Sequence, residues 1–177
     1  MFLALIGLQE PMSRIRLPTV LAAQHAPLIV LRIRVLIKRL QNGLNLPRPT
    51  YHSDEAVGMD LPAAVDAEVL IKPGAIVSVP CGFALAIPEG YEGQIRPRSG
   101  LAAKGVSIPN SPGTIDPDYR GEVAVLLINH GTQDFRVMRG MRIAQLLLLP
   151  VPRVEWLEVD ELPPTKRGSG GFGHTGE

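Results

Sequence analysis

Residues 67–97 read Ala67-Glu-Val-Leu-Ile71-Lys72-Pro-Gly74-Ala-Ile76-Val-Ser-Val-Pro80-Cys81-Gly82-Phe-Ala-Leu-Ala-Ile87-Pro88-Glu-Gly90-Tyr-Glu-Gly93-Gln-Ile-Arg-Pro97. Short apolar, often β-branched runs alternate here with Pro- and Gly-containing breaks, and no stretch keeps the 3.6-residue period of a helix. That pattern is one of strands joined by turns. It predicts strands at 67–71, 76–80, 82–87 and 93–97. Working outward, 121–129, 135–138 and 142–151 read the same way, broken at His130-Gly-Thr132 and Arg139-Gly140. The fold class is all-β, a sandwich or barrel. The one helical candidate is 99–105, one or two turns opened by Ser99 and closed by Gly105. Val123 to Leu127 is apolar on both faces, which predicts burial against another sheet or another subunit. Upstream, Arg32-Ile-Arg34-Val35 alternates and runs into Leu36-Ile-Lys38, predicting a strand with one buried face.

The chain has 177 residues, 45% hydrophobic and 20% charged, enough for one domain plus an appendage. A single cysteine excludes an internal disulfide framework and a cysteine-cluster metal site. Cys81, inside a strand-like run, reads as a small core side chain, and the four histidines show no ligand spacing, so no zinc site is expected. The net charge of +1 argues against a nucleic-acid partner, but it conceals an asymmetry. Residues 1–53 carry seven basic side chains and one acid, +6; residues 54–177 carry eleven basic and sixteen acidic, −5.

Residues 1–31 form a separate extension. The apolar run from Met1 to Leu8 is too short to span a bilayer, and Arg14 and Arg16 follow it rather than precede it as a secretory signal requires. An acid-poor stretch with arginines also suits a transit peptide or a membrane-surface segment. The reading taken is a disordered extension, or a start placed upstream of the competing Met12, with no function and no membrane partner.

Four segments carry chemistry. Arg96-Pro-Arg98-Ser99-Gly100 sets a guanidinium and a hydroxyl beside the start of the short helix, where free N–H groups favour an anion; the same residues also suit a Ser N-cap with surface arginines. Asn110-Ser-Pro-Gly-Thr114-Ile115-Asp116-Pro-Asp118-Tyr119-Arg120-Gly121 contains a turn between arms 107–110 and 114–116, a hairpin whose backbone edge can pair with a base. Asp116 and Asp118 suit a general base or metal-linked waters, or they simply cap turns. Gln145 is the polar exception in an apolar run, satisfying a core group or pointing into a site. The tail Arg167-Gly-Ser-Gly-Gly-Phe172-Gly-His174-Thr175-Gly176 is a flexible Gly-rich terminus by composition, yet Phe172 offers a stacking face that a pure linker does not need. No Walker loop and no strand–G-x-G-x-x-G–helix unit is present.

Together these segments resemble the trimeric dUTPase family. Five motifs match in order over residues 32–177: Ala56-Val-Gly-Met-Asp60-Leu61; Arg96 to Leu101; Asn110 to Gly121; Arg142-Ile-Ala-Gln145-Leu; and Arg167 to Gly176. The resemblance implies a jelly-roll-like β-clip domain over 32–162 with one short helix, and a tail, 163–177, that closes the active site. It implies a homotrimer with shared sites that hydrolyses dUTP to dUMP and pyrophosphate with Mg²⁺, removing dUTP from the nucleotide pool and supplying dUMP for thymidylate synthesis.

Carried residue by residue, Asp116 would orient and deprotonate the water that attacks the α-phosphate. Asn110 and the backbone of Thr114, Ile115 and Asp116 would read uracil, and Tyr119 would lie under the deoxyribose. Arg98, Ser99, Gly100 and Gln145 would hold the phosphates, with Asp60 near the metal through water. Phe172 would cover the base while Arg167, His174 and Thr175 close on the phosphates. Val57 departs from the smaller residue usual in the family and is expected to adjust packing behind Asp60. With no convincing export signal and a nucleotide-pool chemistry, a cytoplasmic location is expected. Two other readings remain, a dCTP deaminase-like enzyme of the same fold and a non-catalytic nucleotide-binding trimer.

Overall fold

A computed structural model describes residues 32–171. Tail residues Phe172, His174 and Thr175 therefore lie outside the described residues, as does the extension 1–31. The strands all fall within the unit Arg34–Glu177. In chain order they are β1 (Leu36–Arg39), β2 (Met59–Pro62), β3 (Val69–Ile71), β4 (Ile76–Ala86) and β5 (Tyr91–Pro97). After α1 (Ser99–Ala102), the one α-helix among the described residues, come β6 (Val106–Ser107), β7 (Gly113–Ile115), β8 (Glu122–Asn129), β9 (Phe135–Val137) and β10 (Arg142–Pro150). A 3-10 turn, Gln41–Gly43, follows β1.

Two four-stranded antiparallel sheets carry the fold, ordered β1-β4-β8-β6 and β2-β10-β5-β7, with β3 and β9 as a separate pair. Between them lies a core that includes Leu61, Ile71, Val79, Val125, Leu127 and Ile143, each at most 1% exposed. Burying a side chain such as Leu127 contributes about 1.5–3 kcal/mol relative to leaving it in water. The polar exception is Asn129, whose Nδ2 donates to the carbonyls of Ile71 and Gln133 while its Oδ1 accepts from Gly131 N–H. Cys81 is a core residue, as expected. Burial, and secondarily the negative charge of Glu122, pushes its thiol up to about 12, so it stays protonated at neutral pH.

Several expectations need correction. The runs 76–80 and 82–87 are one strand, β4, not two. Its pairing with β8 shifts between Pro80 and Ala84, and Gly82 sits at φ +78 inside that bulge. Pro80 and Gly82 thus mark a bend within a strand rather than its end. β1 has no buried face: all four of its residues are exposed, and the alternation lies in Arg32 to Val35, before the strand begins. The hairpin arms do not pair with each other, because β6 joins β8 in the first sheet while β7 joins β5 in the second. The helix is shorter than 99–105, and Arg98 rather than Ser99 occupies its N-cap, with no side-chain cap bond. For β8, Val123, Val125 and Leu127 face the core, whereas Ala124 and Leu126 are exposed opposite Pro80 and Ser78 of β4.

Candidate active site

At one end of the second sheet stands Asp60, the one buried acid among the described residues, 7% exposed. The register sets it directly opposite Gln145 on β10, and Gln145 opposite Arg96 on β5. Arg98 leaves the end of β5 and turns back toward it. The Asp60 carboxylate meets four nitrogens. Arg98 Nε lies 3.2 Å from Oδ1, and Gln145 Nε2 donates to the same oxygen at 3.2 Å. Arg142 Nη1 lies 3.1 Å from Oδ2, with His52 Nε2 at 3.4 Å. A carboxylate offers about four lone-pair directions, and here each faces a nitrogen. Arg98 is fixed further by donating from Nη1 to the carbonyl of Arg142 at 3.0 Å.

The first-turn N–H groups of Ser99 and Gly100 have no intrahelical acceptor, both residues are exposed, and nothing lies within 4 Å of where a Gly100 Cβ would stand. Arg142 and His52 carried no site expectation. Arg142 stood in the fourth motif and was a legible signal; His52 had none, since nothing local relates it to Asp60. Val57 does not pack behind Asp60, because it is 74% exposed; Gly58 is the residue held against Gln145.

Asp60 therefore organises two guanidiniums. Asp60→Asn keeps the shape but removes the charge and turns an N–H₂ toward them. The expected loss in unfolding free energy is about 1–3 kcal/mol, moderated because both arginines reach solvent. Urea denaturation measures it, and a loss under about 0.5 kcal/mol, the level of a solvated ion pair, would remove Asp60 from this organising role.

The second group lies at the other end of β5. β7 pairs with β5 through Gly93↔Ile115, Gln94↔Thr114 and Ile95↔Gly113, so Asp116 falls level with Glu92. Six strand residues separate that level from Arg98, about 20 Å at 3.3–3.4 Å per residue. β7 is the edge of its sheet, and β6 has gone to the other sheet. Among the described residues, the outer backbone groups of Gly113, Thr114 and Ile115 are thus left without a strand partner. Ile115 is buried and offers a ligand only its backbone, while Thr114 and Asp116 are exposed.

The Asn110 amide folds over Gly113, where a Cβ would stand 3.2 Å from Nδ2. Tyr119 donates its hydroxyl to the Glu122 carbonyl at 3.0 Å, and its ring lies over Gly121, where a Cβ would meet the phenol oxygen at 2.3 Å. A side chain there would push the Tyr119 ring off its place. Asp116 lines two crevices: one of about 560 Å³ with Glu89, Asp118, Arg120 and Arg153, and one of about 260 Å³ with Tyr91, Glu92, Thr114 and Arg153. Arg167 lies in the exposed segment after β10, its Nε donating to the carbonyl of Gly170 at 2.7 Å.

Two antiparallel sheets of this connectivity, with one short helix and polar groups at both ends of β5, define a jelly-roll-like β domain. A model of the dUTPase family matches residues 45–176. A deoxyuridine 5'-triphosphate nucleotidohydrolase of Syntrophotalea carbinolica is 56% identical over 145 residues, 81% of this chain and 97% of that protein. One from Anaplasma marginale is 51% identical over 145 residues, 81% of this chain and 99% of that protein. Among solved structures, Staphylococcus bacteriophage 80alpha dUTPase with dUPNHPP aligns at a TM-score of 0.72 and 25% identity, covering 81% of this chain and 99% of that one. The chain belongs to the dUTPase family and is an enzyme of it, a dUTP diphosphatase. No helix among the described residues is long and apolar enough to cross a membrane.

Proposed function

We propose that this enzyme hydrolyses dUTP to dUMP and pyrophosphate, with Asp116 as the base. A water oriented by its carboxylate attacks the α-phosphorus in line and gives its proton to that carboxylate. The bond from the α-phosphorus to the bridging oxygen breaks, and pyrophosphate leaves. The observation that carries this reading is the open outer edge of β7 beside an exposed Asp116. A pyrimidine needs donors and acceptors in alternation, and a free strand edge supplies both. Asn110 completes the reading of uracil. The half-exposed ring of Tyr119, held down on Gly121, gives the deoxyribose a floor with no room for a 2′-hydroxyl.

Arg98, Ser99, Gly100 and Gln145 hold the phosphate chain, Arg98 pre-aimed by Asp60. Asp60, Gln145 and the Arg98 guanidinium gather at the Arg96 level of β5, four residues or about 13 Å from the Glu92 level of Asp116, and the phosphate half of each site is taken from a neighbouring subunit of a homotrimer. The open apolar face of β8, the exposed β1 edge with Leu36 and Ile37, and the exposed Val154, Trp156, Leu157 and Leu162 after β10 support such an assembly. Arg167, Phe172, His174 and Thr175 of the tail close over base and phosphates and exclude bulk water.

The donor set fits a Mg²⁺ ion that arrives on the triphosphate and keeps its waters. No three His, Cys, Asp or Glu side chains gather as a cage among the described residues; Asp60 would face such an ion through a bound water and steady it there. When bound, the ion neutralises phosphate charge. Removing dUTP from the pool and supplying dUMP for thymidylate synthesis, in the cytoplasm, is the corresponding role.

The test is pyrophosphate release against the four common dNTPs, dUTP and UTP. Release confined to dUTP is expected. Ammonia from dCTP would favour the deaminase reading, and dUTP binding without release would favour a non-catalytic trimer.

A further inference from the structure

Tyr119 does not hold its own position. Its hydroxyl is tied to the main-chain carbonyl of Glu122, so the tilt of its ring follows the backbone of residues 119–122. The Glu122 side chain, in turn, is anchored outside that turn. Its Oε1 accepts Gly82 N–H at 2.8 Å and Asn42 Nδ2 at 2.7 Å.

The Gly82 bond has a structural cause. Between Pro80↔Ala124 and Ala84↔Glu122, β4 advances four residues while β8 advances two. That leaves two extra residues in the bulge and frees the Gly82 N–H from the ladder. A buried N–H without a partner is costly, and the Glu122 carboxylate supplies the acceptor. The Gly82 carbonyl is engaged on the other side by Leu40 N–H at 2.9 Å. The bulge also meets the 3-10 turn so closely that a Cβ on Gly43 would stand 1.9 Å from the Gly82 oxygen. One carboxylate therefore joins three segments distant in sequence: the turn after β1, the β4 bulge, and the loop that carries Tyr119.

We infer that Glu122 is a positioning residue for sugar selection, fixing the Tyr119 ring at the height that rejects a 2′-hydroxyl. This rests on the reading of Tyr119 as the sugar's floor. An aromatic floor excludes a hydroxyl only by contact, so a ring free to drop by a fraction of an ångström admits it. A merely structural role would lower stability and slow both nucleotides alike. A positioning role changes their ratio.

The experiment measures kcat/KM for dUTP and UTP in the full-length assembled enzyme. Glu122→Ala is expected to lower the dUTP:UTP ratio about tenfold, a share of the roughly hundredfold rejection that packing can impose on an added hydroxyl. Glu122→Gln, whose amide oxygen accepts from the same two donors, is expected to restore the ratio to within about twofold of wild type. Should Glu122→Ala fail to fold, Glu122→Asp, one methylene too short to reach Gly82, reads the same quantity. A wild-type ratio in a folded Glu122→Ala or Glu122→Asp overturns the inference. Tyr119→Ala separates the two layers. If it leaves the ratio unchanged, the floor reading fails and the inference with it; if it lowers the ratio while the Glu122 variants do not, only the inference fails.

Discussion

Asp116→Asn should cut kcat by about 10²–10⁴-fold, the usual contribution of a positioned general base. Affinity for a non-hydrolysable dUTP analogue should stay within about threefold, since the amide keeps the shape that ground-state binding reads. The separation follows from where the residue sits. Asp116 is exposed, its side chain makes no hydrogen bond or ion pair among the described residues, and it lines both crevices at the β7 edge. Replacing it leaves no buried group unpaired, so unfolding in urea should match wild type, in contrast to Asp60→Asn. What is lost is the ability to take a proton from water. Pyrophosphate release and titration calorimetry measure the two effects separately. Turnover within tenfold of wild type would assign the base elsewhere. Asp118, which lines only the larger crevice, is the first alternative.

The strands were legible because their ends carry chemistry that works locally. Lys72-Pro-Gly74 and Pro88-Glu-Gly90 stop a strand whatever surrounds them. The bulge at Gly82 uses the same residue types, and only its partner strand, some forty residues on, makes it a bend instead of an end. Nothing within 76–87 encodes that. The hairpin failed for a related reason: the chain does turn, but at Pro109 and Asn110, with Gly113 already in β7, and which strand each arm joins depends on β5 and β8. The open edge of β7, the feature the proposed chemistry most needs, is a consequence of that choice. Likewise Asp60, Arg98 and Gln145 could be named from their motifs, whereas the carboxylate shared among Arg98, Arg142, Gln145 and His52 exists only through the β2–β10 register. The +1 net charge hid the point that matters electrostatically. A −5 body binds a polyanion through a few placed guanidiniums, and those near Asp60 are placed by a buried acid.

Mixing two inactive variants should restore activity. Asp116→Asn lacks the base and Arg98→Ala lacks a phosphate cation, so each homotrimer should fail alone. In the proposed trimer, each site takes Asp116 from one subunit and Arg98 from the next. A mixed trimer with both kinds of subunit therefore holds one junction where an intact Asp116 faces an intact Arg98, giving about one-third of wild-type turnover per trimer under cyclic symmetry. Unfolding the two together in urea, refolding, and assaying pyrophosphate release reads this directly, with each variant refolded alone as the baseline. The expectation derives from β5. A base must come within hydrogen-bond reach of the attacking water and a guanidinium must touch the phosphates. Within one chain the Arg98 guanidinium is held on Asp60 at the Arg96 level, while Asp116 is level with Glu92 toward the other end of the strand, on the β7 edge. If both halves of a site came from one chain, no mixture would exceed its parents. β5 would then no longer divide the site, and the Asp60 cradle would have to serve some ligand other than the nucleotide that Asp116 attacks.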